Sequence, residues 1–227
     1  RSDDAPSNSP GVLRLLPPDA VSDKEVTVAG RKIAYTATAG TLPLFDQNGE
    51  RTAAVYYTSY VAKDVDKGIG AGRRPVTFAF NGGPGAASVY LTLGIAGPRI
   101  VDFSAERPDG ATARLIDNPD TWLAFTDLVM IDPVGTGFSK PLGEAKGADF
   151  WGVDQDIKSV GAFIKRWVTE NGRWGSPKYV LGESYGGMRG AGLAYYLQAN
   201  MGMNLNGLVL VSPFLNAATG IDGEGMD

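Results

Sequence analysis

The chain contains 227 residues, including 31 glycines and 14 prolines, but no cysteine and no histidine. The sequence therefore excludes disulfides, thiol chemistry and Cys/His zinc sites, and it offers no imidazole as a general base near neutral pH. A formal net charge of −4 argues against non-specific binding to nucleic acid or anionic membranes, and no apolar run is long enough to span a membrane. We expect a globular protein with no metal and no cofactor.

The N-terminal part of the chain predicts a tail followed by an antiparallel pair of strands. Residues 1–25 are expected to form a polar N-terminal tail, because their beginning is rich in Ser, Asp, Asn and Pro. The sequence becomes typical of strands from Val26 onwards. Ile33–Thr38 and Ala54–Val61 are rich in β-branched and aromatic residues, and the turn-forming residues 46–49 lie between them.

Short apolar runs alternate with helical patterns in the rest of the chain. Four runs are typical of buried strands: Val76–Phe80, Leu128–Ile131, Tyr179–Leu181 and Leu208–Val211. Two segments are predicted to be helical, residues 151–170 and Tyr185–Asn200. This alternation predicts an α/β fold with a mainly parallel twisted sheet and helices on both faces. In such sheets, functional sites gather at the carboxyl ends of the strands.

The strongest chemical signal is the segment Gly182-Glu183-Ser184-Tyr185-Gly186, which has the form G-x-S-x-G. An apolar strand precedes it and a helix follows, as in the turn that exposes the nucleophilic serine of α/β-hydrolases. Glycines two residues on either side allow the tight turn, and the helix N-terminus directs backbone N–H groups towards a developing oxyanion. Ser184 is therefore the candidate nucleophile.

A second glycine-rich loop, Asn81-Gly82-Gly83-Pro84-Gly85, follows the strand Val76–Phe80. α/β-Hydrolases place their second oxyanion donor after an early strand of this kind. Two consecutive glycines let a backbone approach a substrate closely, and the proline stiffens the loop.

Together these segments resemble the serine carboxypeptidase family, whose hallmarks are N-G-G-P-G and G-E-S-Y-[AG]-G. They stand here as Asn81–Gly85 and Gly182–Gly187. Two further family segments are present as Asp132–Ser139 and Asn118–Trp122. The resemblance extends from about Ile33 to Asn216. It implies an α/β-hydrolase fold and a bacterial-type family member without disulfides.

The resemblance also implies a role for each residue of these motifs. Ser184 would be the nucleophile, and the N–H groups of Gly83 and Tyr185 would form the oxyanion hole. Three residues would bind the C-terminal carboxylate of a peptide: Asn81, Gly82 and Glu183. Because two carboxylates in contact cannot both stay ionised, peptide cleavage is expected to prefer acidic pH.

Three positions depart from the family pattern. Ala86 stands where the family usually has a cysteine, and Ile95 where well-studied members carry a second carboxylate-binding Glu. The His-Tyr pair that usually follows Gly187 is replaced by Met188-Arg189. Arg189 could supply charge near the site, but we favour a salt bridge on the helix surface.

The order in this fold is Ser, Asp, His, but no histidine follows Ser184. The acidic residues that do follow, Asp222, Glu224 and Asp227, lie in the Gly-rich end without a preceding strand, so none is a credible triad acid. We expect residues 26–216 to be the N-terminal part of the hydrolase core and 217–227 the flexible start of a cap insertion. The C-terminal strands and most of the cap would be missing. Several family members are cut in the cap and persist as two chains. A C-terminal chain or segment carrying the Asp and His is therefore the expected partner.

The predicted function is hydrolysis of C-terminal peptide bonds through an acyl-enzyme. An acyltransferase or esterase of the same fold remains open because of Ile95, and a non-catalytic binding module is a third reading. Tyr90, Trp151 and Phe138 are candidates to line a substrate pocket, although core packing is the default for each. The polar N-terminus and the family habit of export favour a secreted or periplasmic location.

Overall fold

The computed structural model describes residues 18–63, 73–102 and 113–215, which form an eight-stranded mixed sheet with helices on both faces and a separate two-stranded sheet. The eight-stranded sheet has an antiparallel side and a parallel side. The antiparallel side consists of β1 (Ala20–Val28), β2 (Arg31–Phe45) and β3 (Arg51–Ala62). The predicted antiparallel pair is β2 and β3, and the turn at residues 46–49 connects them.

The four predicted apolar strands form the parallel side of this sheet. They are β4 (Val76–Phe80), β7 (Asp127–Ile131), β9 (Lys178–Glu183) and β10 (Gly207–Val211). Every residue of β4 and β7 is buried, as expected of strands that are covered on both faces. The α/β-hydrolase fold predicted from the sequence is confirmed.

Helices cover the two faces of the sheet unequally. The long helices α3 (Val153–Glu170) and α4 (Tyr185–Met201) pack on one face, where Phe163, Trp167 and Leu193 join the larger apolar core. The other face carries a smaller core that includes Leu91 of the short helix α1 (Val89–Gly94). Helix α2 (Ala148–Trp151) precedes α3. The short strands β5 (Arg99–Val101) and β6 (Leu115–Asp117) form the two-stranded sheet, and β8 (Lys140–Pro141) pairs with β3. The strand order of the eight-stranded sheet is β1-β2-β3-β7-β4-β9-β10, with β8 beside β3.

The first strand begins earlier than the sequence pattern indicates. Residues 20–25, which the sequence assigned to the polar tail, form the first part of β1 and pair with β2. Their side chains are exposed and only Val26 is buried in the core, so the segment pairs through its backbone without an apolar face. Residues 1–17 of the predicted tail and the predicted start of the cap at 217–227 lie outside the described residues.

Strand β10 forms one edge of the sheet. It pairs with β9, and no described strand pairs with its other side. Leu208 and Val209 are 38% and 36% exposed, so this edge is both apolar and accessible within the described residues.

Candidate active site

The candidate nucleophile lies on a strained turn between a strand and a helix. Strand β9 ends at Glu183, helix α4 begins at Tyr185, and Ser184 between them has φ 57° and ψ −121°. A non-glycine residue rarely adopts this conformation, and it costs of the order of 1–3 kcal/mol. Strain of this kind persists only where the surrounding structure fixes it, and it concentrates at functional sites.

Backbone hydrogen bonds hold the turn in place. The Ser184 N–H donates to the Val211 carbonyl oxygen at 2.9 Å, which ties the turn to β10. The Ser184 carbonyl oxygen accepts from Gly187 N at 2.8 Å and from Phe214 N at 2.9 Å. At Gly182, an added Cβ would lie 2.0 Å from the Gly186 carbonyl oxygen, so only glycine allows this tight turn.

The candidate oxyanion loop lies directly against the turn. A Cβ added to Gly82 would lie 2.6 Å from the backbone nitrogen of Tyr185 and 2.9 Å from Cβ of Ser184. The next residue, Gly83, has φ 110° and is exposed. The structure therefore brings Gly82, Gly83, Ser184 and Tyr185 together at the carboxyl ends of β4 and β9.

The three residues assigned to carboxylate binding also lie together. Asn81 Nδ2 donates to Glu183 Oε2 at 3.2 Å, and the Gly82 N–H approaches the same oxygen at 3.4 Å. Asn81 Oδ1 accepts from the Leu91 N–H at 3.2 Å, so the amide joins the turn to helix α1. Asn81 is buried, whereas Glu183 is half-buried and can reach a ligand at the surface.

A loop after β7 completes the rim of the site. Asp132 Oδ1 accepts from the Ser88 N–H at 2.8 Å, and Ser139 Oγ donates to the Asp132 carbonyl oxygen at 2.6 Å. Burial raises the pKa of Asp132, and hydrogen bonds from the backbone of Ser88 and Phe138 partly oppose this effect. The Asp132–Ser139 segment is thus anchored to the loop that follows the candidate oxyanion residues.

The segment Asn118–Trp122 fixes the chain around Ile95. Asn118 Nδ2 donates to the carbonyl oxygens of Ile95 and Gly97 at 2.9 and 2.8 Å, and Thr121 Oγ1 donates to that of Ala96 at 2.9 Å. The Ile95 side chain packs against the smaller apolar core. This position consequently supplies apolar contact and no carboxyl group.

A cavity of about 400 Å³ opens beside Tyr185. Its lining includes Pro84 of the oxyanion loop, Thr136 of the loop after β7, and Trp151 of α2. The default expectation that three aromatic residues pack in the core is wrong. Tyr90, Trp151 and Phe138 are 59%, 69% and 64% exposed, because each lies in a short helix or loop at the rim. Of these three, Trp151 lines this cavity and Phe138 lines a neighbouring one.

The prediction of a salt bridge at Arg189 is confirmed, but its location on the helix surface is wrong. Arg189 is 2% exposed, and its Nε donates to Asp156 Oδ2 on α3 at 2.8 Å. Burial raises the pKa of Asp156, while the charge of Arg189 acts in the opposite direction. The sequence contains a signal that was missed, since Tyr185, Arg189, Leu193 and Leu197 recur every four residues on the buried side of α4.

The described residues offer no arrangement for a metal and no membrane helix. No group of three or more His, Cys, Asp or Glu side chains in residues 18–63, 73–102 and 113–215 could hold a metal ion. In the same residues, no helix combines the length and apolarity needed to cross a membrane.

Comparison with known proteins agrees with this arrangement. The family model described as serine carboxypeptidase matches residues 35–226. This chain belongs to the serine carboxypeptidase family. Two of the segments that carry the resemblance, Asn81–Gly85 and Gly182–Gly187, lie together at Ser184 in the structure, and the family match supports a hydrolase.

Individual relatives match a limited part of their own length. Serine carboxypeptidase-like 8 of Arabidopsis thaliana is 28% identical over 147 residues, which cover 61% of this chain and 33% of the relative. Serine carboxypeptidase ctsa-3.2 of Caenorhabditis elegans is 25% identical over 181 residues, covering 75% and 32% respectively. The chain thus spans about a third of the length of these relatives.

A solved structure shares the fold. Kex1(delta)p, a prohormone-processing carboxypeptidase from Saccharomyces cerevisiae, superposes with a TM-score of 0.64 at 22% sequence identity. The match covers 79% of this chain and 39% of that chain.

Proposed function

We propose that this chain supplies the nucleophile and the oxyanion hole of a serine carboxypeptidase. The observation that carries the proposal is the strained Ser184, held against Gly82 by contacts too close for any side chain at that position. In the proposed site, the backbone N–H groups of Gly83 and Tyr185 serve as the two oxyanion donors beside the Ser184 hydroxyl. An oxyanion hole built from such donors stabilises the tetrahedral intermediate of acyl transfer.

The proposed reaction proceeds through an acyl-enzyme. Ser184 Oγ attacks the carbonyl carbon of the C-terminal peptide bond and gives its proton to an imidazole. The intermediate then collapses, the C–N bond breaks, and the same imidazolium protonates the leaving amine. Water subsequently hydrolyses the ester of Ser184 and regenerates the hydroxyl. The triad Asp and His are supplied by a segment outside this sequence, and the chain together with that segment is called the completed enzyme below.

The carboxylate subsite supports exopeptidase rather than endopeptidase cleavage. Asn81 Nδ2 and the Gly82 N–H already approach one Glu183 oxygen, so an incoming carboxylate would be surrounded by the same donors. Because Glu183 and a substrate carboxylate in contact cannot both stay ionised, one of the two must hold a proton. We therefore expect peptide hydrolysis to fall as the pH rises above the acidic range.

The test compares substrates on the completed enzyme. A blocked dipeptide with a free C-terminal carboxylate should be hydrolysed, whereas the same dipeptide with a C-terminal carboxamide should react far more slowly because it cannot use the Asn81 and Glu183 subsite. Equal rates for the two substrates would contradict the exopeptidase assignment. No hydrolysis of either substrate, or of the corresponding ester, would favour the non-catalytic alternative.

An acyltransferase or esterase is the second candidate. Ile95 supports it, because the position packs into an apolar core and provides no second carboxyl group for a peptide terminus. Turnover of ester donors without turnover of peptides would favour this candidate.

A further inference from the structure

Arg189 connects three parts of the molecule that meet behind the candidate active site. Its Nε donates to Asp156 Oδ2 of α3 at 2.8 Å, and its Nη1 donates to the backbone carbonyl oxygen of Asn81 at 3.0 Å. Asn81 is the first residue of the oxyanion loop, and Arg189 itself lies in the first turns of the helix that follows Ser184. One guanidinium group thus joins α3, α4 and the loop.

The same group also contacts two aromatic rings. Its Cζ lies 5.0 Å from the ring centroid of Phe80 and 5.2 Å from that of Tyr185. Phe80 is the last residue of β4, and the Tyr185 N–H is one proposed oxyanion donor. The attraction between a guanidinium and an aromatic ring is stronger when both are desolvated, as they are here.

We propose that Arg189 is a positioning residue that sets the distance between the two oxyanion donors. The proposal rests on the function proposed above. One donor, Gly83, lies two residues after the Asn81 carbonyl that Arg189 binds, and the other is the backbone of Tyr185, whose ring Arg189 contacts. The rigid guanidinium group of Arg189 therefore contacts both sides of the proposed oxyanion hole, and its ion pair with Asp156 holds it in place.

Competing roles for Arg189 fit the contacts less well. Arg189 borders the cavity beside Tyr185, but it is 2% exposed, two of its donors are engaged by protein acceptors, and Asp156 balances its charge. What distinguishes Arg189 from other buried ion-paired arginines is the place of its carbonyl acceptor, since Asn81 begins the proposed oxyanion loop. Lysine could not replace Arg189, because a single ammonium does not reproduce the planar arrangement of the guanidinium N–H donors.

The first experiment measures amide hydrogen exchange in the 227-residue chain, which needs no catalytic activity. In Arg189→Met, exchange in peptides covering residues 81–86 should be about tenfold faster or more, because the loop loses its tie to α4. The matched control is Arg173→Met, since Arg173 is also buried and likewise binds one carboxylate and one backbone carbonyl. The control should leave exchange in residues 81–86 unchanged.

A second pair of variants guards against loss of folding. If either methionine variant does not fold, Arg189→Lys is compared with Arg173→Lys in the same experiment. Equal exchange in residues 81–86 for the wild type and the Arg189 variant would overturn the proposal. So would the same acceleration in the Arg173 control, because the effect would then be global.

Kinetics of the completed enzyme provide a second readout, which a purely structural role of Arg189 would leave unchanged. With the oxyanion donors misplaced, kcat should fall about 10- to 100-fold in Arg189→Lys while KM changes less than about threefold. An unchanged kcat, or an effect confined to KM, would overturn the proposal. If the wild-type completed enzyme is inactive, the proposed function fails, and hydrogen exchange alone decides whether Arg189 positions the loop.

Discussion

Buried arginines pair with aspartates at both ends of the parallel sheet, and the two arrangements differ. At the amino ends of the strands, Asp127 accepts from Arg74 Nε at 2.9 Å through one oxygen and from Arg173 Nη1 at 2.8 Å through the other. At the carboxyl ends, Asp156 accepts from a single arginine, Arg189. The first cluster joins strand ends to one another, whereas the second joins two helices to a loop.

The difference separates stability from function in this fold. The cluster at Asp127 lies far along the strands from Ser184 and borders no residue of the candidate site, so its contribution is to the folded state. The pair at Arg189 borders the cavity beside Tyr185 and contacts the oxyanion loop. Loss of the first should therefore lower stability at constant activity, and loss of the second should lower activity more than stability.

The largest effect at the carboxyl end is expected at Ser184 itself. Ser184→Gly should lower kcat/KM of the completed enzyme about 10⁴-fold or more, because the nucleophile is lost. The same substitution should raise the free energy of unfolding by up to about 1 kcal/mol, since glycine adopts a positive φ without strain. Hydrolysis assays and urea unfolding of the same preparation measure both effects. Retained activity would show that another group attacks the substrate.

The contact between loop and turn predicts the next largest effect. Gly82→Ala should lower kcat about 10²-fold, because its Cβ would force the loop away from Tyr185 N. Gly85→Ala is the control in the same loop, since its added Cβ meets no atom within 4 Å, although its φ of 106° adds backbone strain. If the two variants lose activity equally, the loss is not specific to the close contact at Gly82.

Substitutions at the amino ends of the parallel strands should change the stability of the protein and leave its activity unchanged. Asp127→Asn leaves Arg74 and Arg173 buried without their carboxylate and should lower the free energy of unfolding by about 3 kcal/mol or more. The kcat per folded molecule should stay unchanged. Glu170→Gln is a suitable control, because its pair with Arg166 is exposed and should cost less than about 1 kcal/mol. A fall in kcat with Asp127→Asn would contradict the separation of the two ends.

The smallest expected effect concerns the pH dependence of stability. Burial raises the pKa of Asp132 above its unfolded value of 3.8, so the folded state binds this proton more tightly than the unfolded state. The resulting stabilisation is complete below the unfolded pKa and is lost as the pH rises through the higher folded pKa. Urea unfolding between acidic and neutral pH should therefore show the wild type losing stability relative to Asp132→Asn. A difference that does not depend on pH would contradict a raised pKa.

The central strands could be predicted closely because their signals are local. Val76–Phe80 and Leu208–Val211 are short apolar runs between turn residues, and the structure places strands at both within one residue. The first strand was predicted to begin too late, because residues 20–25 are exposed and pair through the backbone and polar side chains without an apolar face. Backbone pairing at a sheet edge leaves no periodic pattern in the side chains.

In the candidate site, too, features that are local in sequence could be predicted, and contacts between distant residues could not. Ser184, Gly82 and Asn81 were predictable, because each belongs to a motif that is contiguous in sequence. The partner of Arg189 was not, since Asp156 lies 33 residues away on another helix and only packing brings the two together. Core packing was the default expectation for Trp151, yet α2 ends at this residue, before Gly152, and the exposed ring lines the cavity beside Tyr185.

The central claim is that Ser184 is the reactive nucleophile at the carboxyl end of the sheet. Labelling the completed enzyme with a fluorophosphonate, followed by peptide mass spectrometry, tests it most directly. The account predicts one modified residue, located in the peptide that contains Ser184, and no label in Ser184→Ala. Modification of a different serine, or equal labelling of the wild type and Ser184→Ala, would contradict the account.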